Sequence, residues 1–114
     1  MPHTHEHALL KPKAEEFLAY CGARNFSPNT IRAYRSDLDD FLAIIGQEAT
    51  SAELDRKMMR RYITYLHDLG VMGASLQRKF ASVKSFCKWL DGEGLLDVAL
   101  IETVKPMRRS AKIT

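Results

Sequence analysis

The segment Ser75–Leu90 constrains the fold more than any other stretch, because it reads as one long amphipathic helix. Its apolar residues recur at steps of three and four, the period of an α-helix: Leu76, Phe80, Val83, Cys87 and Leu90. The opposite side carries cations spaced by small polar residues, and no carboxylate occurs between Asp68 and Asp91. A helix that needs only solubility usually mixes charges of both signs. The segment therefore predicts one buried face and one basic face suited to a nucleic-acid backbone.

Three further amphipathic segments, with no convincing strand, predict an all-α bundle of four main helices. These three helices cover about residues 12–22, 28–45 and 56–69, and a short fifth helix covers about residues 98–103. Ser27 followed by Pro28 is typical of a helix start, and Ser75 is expected to cap the fourth helix.

A single helical domain, residues 10–104, accounts for most of the 114 residues, and 46% hydrophobic residues suffice for a core. Residues 1–9 are predicted to be a disordered tail, although their three alternating histidines could hold a metal ion weakly. Residues 105–114 carry cations and no acid, which predicts a basic linker.

The cysteines and the hydropathy pattern predict a cytoplasmic location. Cys21 and Cys87 both fall at apolar helix positions, which favours buried thiols in a reducing compartment over a disulfide. No apolar run is long enough to span a membrane, and the N-terminus lacks the apolar core of a signal peptide.

The charge order along the second predicted helix runs against the helix dipole. Arg32 and Arg35 lie in the first turns and three aspartates follow, an order that costs up to about 1 kcal/mol per charge. We interpret the two arginines as phosphate ligands, helped by Asn29, Thr30 and the free N–H groups of the helix start.

Two basic groups also have a simpler interpretation as solvated surface. On the second helix, Arg35 could pair with Asp39 and Arg32 with Ser36. At the start of the third helix lies a basic cluster that we interpret as a solvated face: Arg56, Lys57, Arg60 and Arg61.

No set of residues in the sequence predicts an active site. The chain has no glycine-rich phosphate loop, no metal-ligand spacing of His, Cys and Asp, and no Gly-x-Ser-x-Gly turn. The carboxylates are expected on exposed helix faces, and the four tyrosines lie on or beside apolar stripes without a base to activate them. We therefore predict that the chain alone is not an enzyme and uses no cofactor or small-molecule substrate.

The two basic helices carry a family resemblance. Residues 26–41 resemble the pattern S-x-x-T-x-x-x-Y-x-x-D-L-x-x-F of tyrosine recombinases. Residues 76–90, followed by Glu93–Leu96, are similar to the R-x-x-S-x-x-x-x-F-x-x-W/Y-L…E-G-L-I/L segment of the same family, and Pro106 falls near its linker. The match, over about residues 10–110, resembles the N-terminal core-binding domain of phage-type integrases and Xer-like recombinases, an orthogonal SAM-like helical bundle.

The resemblance implies a role on double-stranded DNA. In that family this domain forms half of a clamp around duplex DNA, beside other recombinase subunits, and a separate catalytic domain carries the tyrosine nucleophile. The chain is accordingly expected to be the DNA-binding part of a site-specific recombinase or integrase, with no catalytic residue of its own and with residues 105–114 leading toward an absent catalytic domain.

The residues expected to face DNA lie on the second and fourth helices: Ser27, Asn29, Thr30, Arg32, Arg35, Ser75, Gln77, Arg78, Lys79, Ser82, Lys84 and Lys88. Among these, the resemblance places Thr30, Arg78 and Ser82 against phosphates, and it implies that Tyr34 mainly packs. Gln77, Lys79 or Arg35 could read base edges in the major groove. Neutralising about five phosphates predicts a slope near −4.5 for log K against log salt.

Two other functions remain open from the sequence. SAM-like bundles often pair with other chains, so a protein–protein module is one alternative. A helix-turn-helix regulator is the other, with Gly70–Ala74 as its turn, although the helix before that turn is long.

Overall fold

The computed structural model describes residues 7–101 and residue 104. Four helices form the domain: α1 (Leu10–Ala23), α2 (Pro28–Ile45), α3 (Arg56–Asp68) and α4 (Ala74–Gly92). Two short 3-10 turns follow α2 and α4, at Ser51–Glu53 and Val98–Leu100. The part of the chain that is described holds no β-strand, only an isolated bridge between Leu9 and Thr50. The all-α, SAM-like prediction is therefore confirmed.

The start of α2 follows local capping chemistry, and the start of α4 departs from it. Ser27 accepts a hydrogen bond from the Thr30 N–H at 3.1 Å, with Pro28 as the first residue of α2, as predicted. The expectation that Ser75 caps α4 is wrong. Gly73 takes φ 64°, a conformation open to glycine, and the helix begins at Ala74, so Ser75 lies inside the first turn.

Aromatic side chains from all four helices fill the core. The ring of Phe17 on α1 lies 5.6 Å from that of Tyr34 on α2 and 5.5 Å from that of Phe86 on α4, between ring centroids. Phe41 on α2 meets Tyr62 on α3 edge-on at 4.8 Å. Because these contacts join all four helices, they fix which face of each helix is exposed.

Both cysteines are free and buried, as predicted. Burial raises the pKa of Cys21, and it raises the pKa of Cys87 to about 12. Thiols held in this protonated form behave as small apolar core residues.

The predicted ends of α3 and of the short fifth helix differ from the structure. α3 ends at Asp68, one residue before its predicted end, and Leu69 is 62% exposed. The short fifth helix is a 3-10 turn over Val98–Leu100, and the remaining part of its predicted range at 102–103 lies outside the described residues. Residues 1–6 of the predicted tail and the whole predicted linker, residues 105–114, also lie outside them. Among the described helices, none is long and apolar enough to cross a membrane.

Candidate nucleic-acid interface

A buried carboxylate joins the two helices that the sequence assigns to DNA. The side chain of Asp37 on α2 is fully buried and accepts a hydrogen bond from the Ser82 hydroxyl on α4 at 2.6 Å. The Arg78 guanidinium on α4 lies 3.1 Å from the other carboxylate oxygen. A buried carboxylate is costly unless it is paired and hydrogen-bonded, and both conditions are met here. Asp37 therefore fixes α2 against the first half of α4.

Lys79 completes this junction between α2 and α4. Its ammonium lies 2.8 Å from the Asp40 carboxylate and 3.5 Å from that of Asp37. The Tyr62 hydroxyl of α3 lies nearby, where burial and the charges of both aspartates raise its pKa. That hydroxyl is buried and has no hydrogen-bond partner among the described residues. Asp37 and Asp40 thus neutralise Lys79 within the protein, whereas Arg78 bonds Asp37 and stays half-exposed.

These contacts correct two expectations from the sequence. Ser82 was expected to face phosphates, but its side chain is buried and its hydroxyl is committed to Asp37. The motif places its serine three residues after the arginine, and this position is the exposed Ala81, so Ser82 is one residue too late for the role. The expectation that carboxylates lie on exposed faces is wrong for Asp37.

The position of Asp37 could have been anticipated from spacing. It follows Tyr34 by three residues and precedes Phe41 by four, so it lies on the same face of α2 as these packed aromatics. The buried partner of a carboxylate at such a position cannot be read from the sequence.

The polar face of α4 follows one stripe along the helix: Gln77, Arg78, Ala81, Lys84, Ser85 and Lys88. Gln77, Ala81 and Lys88 are exposed, and Arg78 is 52% exposed even though it bonds Asp37. Lys84 is half-buried, with its ammonium 5.8 Å from the centre of the Phe80 ring. The stripe presents positive charge with no carboxylate in it.

The start of α2 gathers a second group of polar residues. The Ser27 hydroxyl donates to Thr30 Oγ1 at 2.9 Å while it caps the helix, and the Arg32 guanidinium donates to the Asn29 side-chain oxygen. Ser27, Asn29 and Arg32 are exposed. The alternative pairing of Arg32 with Ser36 is absent from the described contacts.

Arg35 is held by α1 and not by its own helix. Its guanidinium makes two hydrogen bonds to the Glu15 carboxylate, at 2.9 and 3.1 Å. This pairing lowers the pKa of Glu15 and raises that of Arg35. Arg35 is therefore a paired surface residue, as in the simpler interpretation, but its partner is Glu15 in place of Asp39.

The start of α2 and the later part of α4, which carries Lys84 and Lys88, lie on the same side of the Asp37 junction. The ring of Tyr34, one turn before Asp37, and the ring of Trp89 both pack against the ring of Phe17. Asp37 itself pairs with Arg78, which precedes Trp89 on α4. α4 therefore passes α2 in the opposite chain direction. We define the α2–α4 surface as the predicted residues that remain solvent-accessible and are not neutralised by Glu15 or Asp40: Ser27, Asn29, Thr30, Arg32, Ser75, Gln77, Arg78, Lys84 and Lys88.

Comparison with known proteins identifies the family of this chain. The family model of the phage integrase N-terminal SAM-like domain matches residues 14–94. The tyrosine recombinase XerC of Chlorobaculum parvum is 31% identical over 98% of this chain. Those of Methylobacterium sp. and Pseudomonas syringae pv. tomato are 34% and 36% identical over 72% and 68% of the chain.

The chain spans only part of these relatives: 36% of the Chlorobaculum protein and 28% of each of the other two. No solved structure matches. The family model covers well over half of the chain and includes α2, α3 and α4 completely. The chain therefore belongs to the phage integrase N-terminal SAM-like domain family.

Proposed function

We propose that this domain binds duplex DNA through the α2–α4 surface, as one half of a DNA clamp in a site-specific tyrosine recombinase. The observation that carries the proposal is the polar stripe of α4, which presents Arg78, Lys84 and Lys88 and contains no acidic residue of its own. The relatives are named tyrosine recombinases, which supports DNA as the ligand. Strand cleavage and joining would belong to other parts of such a protein, and this domain would supply binding and orientation alongside other recombinase subunits.

Phosphate neutralisation supplies the affinity in this proposal. Arg32, Arg78, Lys84 and Lys88 each displace condensed counterions when they contact a phosphate. Arg78 is the most preorganised of the four, because its bond to Asp37 orients the guanidinium while half of the side chain stays exposed. Gln77, exposed beside it, can donate to and accept from a base edge in the major groove.

A chemical-shift footprint of the ¹⁵N-labelled chain with a duplex tests the surface. We expect the amides of residues 27–32 and 75–88 to shift together and saturate. The outer face of α1, represented by Lys11, Glu16 and Ala19, is the internal control and should stay unchanged. Shifts confined to α1, or none at millimolar duplex, would overturn the proposal.

Removing Glu15 is predicted to strengthen DNA binding. The Glu15→Gln variant releases Arg35 from its carboxylate partner and leaves one more cation near the α2–α4 surface. One further phosphate contact at 0.1 M salt raises affinity by up to about eightfold. Fluorescence anisotropy with a labelled duplex measures the change, and Glu16→Gln, which removes the same charge beside Lys13, is the matched control.

The Glu15–Arg35 pair also predicts a direction for acid sensitivity. Because the folded-state pKa of Glu15 is lowered, the stabilisation is present above its unfolded value and is lost as pH falls through the folded value. The pair is solvent-exposed, so the effect on unfolding is small. In Arg35→Gln, NMR titration should return the pKa of Glu15 toward its ordinary value of 4.5.

A further inference from the structure

The outer face of α3 holds a group of cations that have no carboxylate partner among the described residues. Arg56, Lys57, Arg60 and Arg61 are all exposed in the first two turns. None of their side chains makes an ion pair or hydrogen bond with any described residue. On the α2–α4 side, by contrast, Arg35, Arg78 and Lys79 all have carboxylate partners.

Helix stability does not explain these cations. They lie at the positive end of the α3 dipole, where acidic residues are favoured, and the first turn of α3 contains no acid. Asp55 precedes the helix as its cap, and its carboxylate accepts from the Met58 N–H at 2.8 Å. The arrangement therefore concentrates positive charge at a place where it opposes folding.

Three of the four cations, Lys57, Arg60 and Arg61, line a shallow groove that is suited to phosphate. The groove, of about 380 Å³, is bounded by the following residues of α3: Lys57, Arg60, Arg61, Thr64, Tyr65 and Asp68. Its ammonium, guanidinium and hydroxyl groups are the donors that proteins use on nucleic-acid phosphates. Lys57 and Arg61 are about 6 Å apart along the helix axis, since each residue rises about 1.5 Å. Successive phosphates of one DNA strand advance about 3.4 Å along the duplex, so the row can meet more than one phosphate.

We propose that this α3 face is a second contact surface for the DNA phosphate backbone, separate from the α2–α4 surface. The inference rests on the proposed function, because it takes duplex DNA as the ligand. The two surfaces are divided by the neutralised junction of Asp37, Asp40 and Lys79, which lies beside Tyr62 on the inner side of α3. DNA is favoured over an acidic protein because the groove combines a row of cations with hydroxyl donors and only one aromatic side chain, Tyr65.

The test compares three double variants of the full chain with a labelled duplex, each losing two positive charges. In Arg60→Gln/Arg61→Gln we expect affinity up to about 60-fold lower at 0.1 M salt and a log–log salt slope less steep by about 1.8. Its melting temperature should be unchanged or higher, because the removed charges oppose the helix dipole. Lys11→Gln/Lys13→Gln on α1 is the control, with a change of about twofold or less expected from net charge alone.

The third variant, Lys84→Gln/Lys88→Gln, separates this inference from the proposed function. If it alone loses affinity and the α3 variant matches the α1 control, the α3 inference is overturned and the proposed function stands. If only the α3 variant loses affinity, the α3 surface stands and the assignment to α2 and α4 falls. Polyglutamate that shifts the α3 amides as strongly as duplex DNA at equal charge would identify a protein partner and overturn the inference.

Discussion

Replacing Asp37 with alanine is expected to lower the free energy of unfolding by about 1.5 kcal/mol, because a buried hydroxyl left without its acceptor costs about 1–3 kcal/mol. The change removes the carboxylate that accepts hydrogen bonds from both the Ser82 hydroxyl and the Arg78 guanidinium. Lys79 keeps Asp40, which places the loss at the lower end of that scale. Urea denaturation followed by circular dichroism measures it.

Two companion variants identify the cause of that loss. Asp37→Asn keeps an oxygen that can accept from Ser82 but removes the charge, so its stability should fall between those of the alanine variant and the wild type. Asp39→Ala removes an exposed carboxylate from the same helix and should change stability by no more than about 0.5 kcal/mol. Equal effects of Asp37→Ala and Asp39→Ala would contradict the buried junction.

Neutralising three cations of the α2–α4 surface is expected to weaken duplex binding by up to about 500-fold at 0.1 M salt. In Arg32→Gln/Lys84→Gln/Lys88→Gln, each substitution removes one potential phosphate contact, worth about 0.9 in the log–log salt slope. Arg78 is left in place because its removal would also disturb Asp37. Fluorescence anisotropy with a labelled duplex measures the affinity.

This variant must keep its fold, and its loss of affinity must be compared with the effect of net charge alone. Far-ultraviolet circular dichroism should show unchanged helix content, because Arg32 and Lys88 are exposed and Lys84 is half-buried at the rim of the core. Lys11→Gln/Lys13→Gln gives the effect of charge removal on a helix outside both proposed surfaces. Losses of the same size per charge in both variants would show that binding is not localised to α2 and α4.

The helices and most of the core were predictable because they depend on local rules. Apolar spacing located all four helices, and Ser27 with Pro28 fixed the start of α2, since a cap and its helix are neighbours in the chain. Ser75 failed as a cap because a positive φ at Gly73 allowed the cap and the helix start to lie two residues earlier. Capping predictions are therefore least secure where a glycine competes with the polar residue.

The polar contacts between helices were not predictable, because they depend on how the helices face one another. Glu15 and Arg35 are 20 residues apart, and Asp37 and Ser82 are 45 apart, so no local pattern pairs them. These pairs changed the candidate site most: they bury Ser82 and neutralise Arg35 and Lys79. The expected number of phosphate contacts on α2 and α4 accordingly falls from about five to about four.

The dependence of duplex affinity on salt is the most direct test of DNA binding by this domain. Four phosphate contacts by Arg32, Arg78, Lys84 and Lys88 predict a slope of about −3.6 for log K against log salt, and contacts by the α3 face would make it steeper. Affinity should thus fall by at least about 100-fold between 0.05 and 0.2 M salt. A slope between 0 and −1 over that range would contradict binding through phosphates.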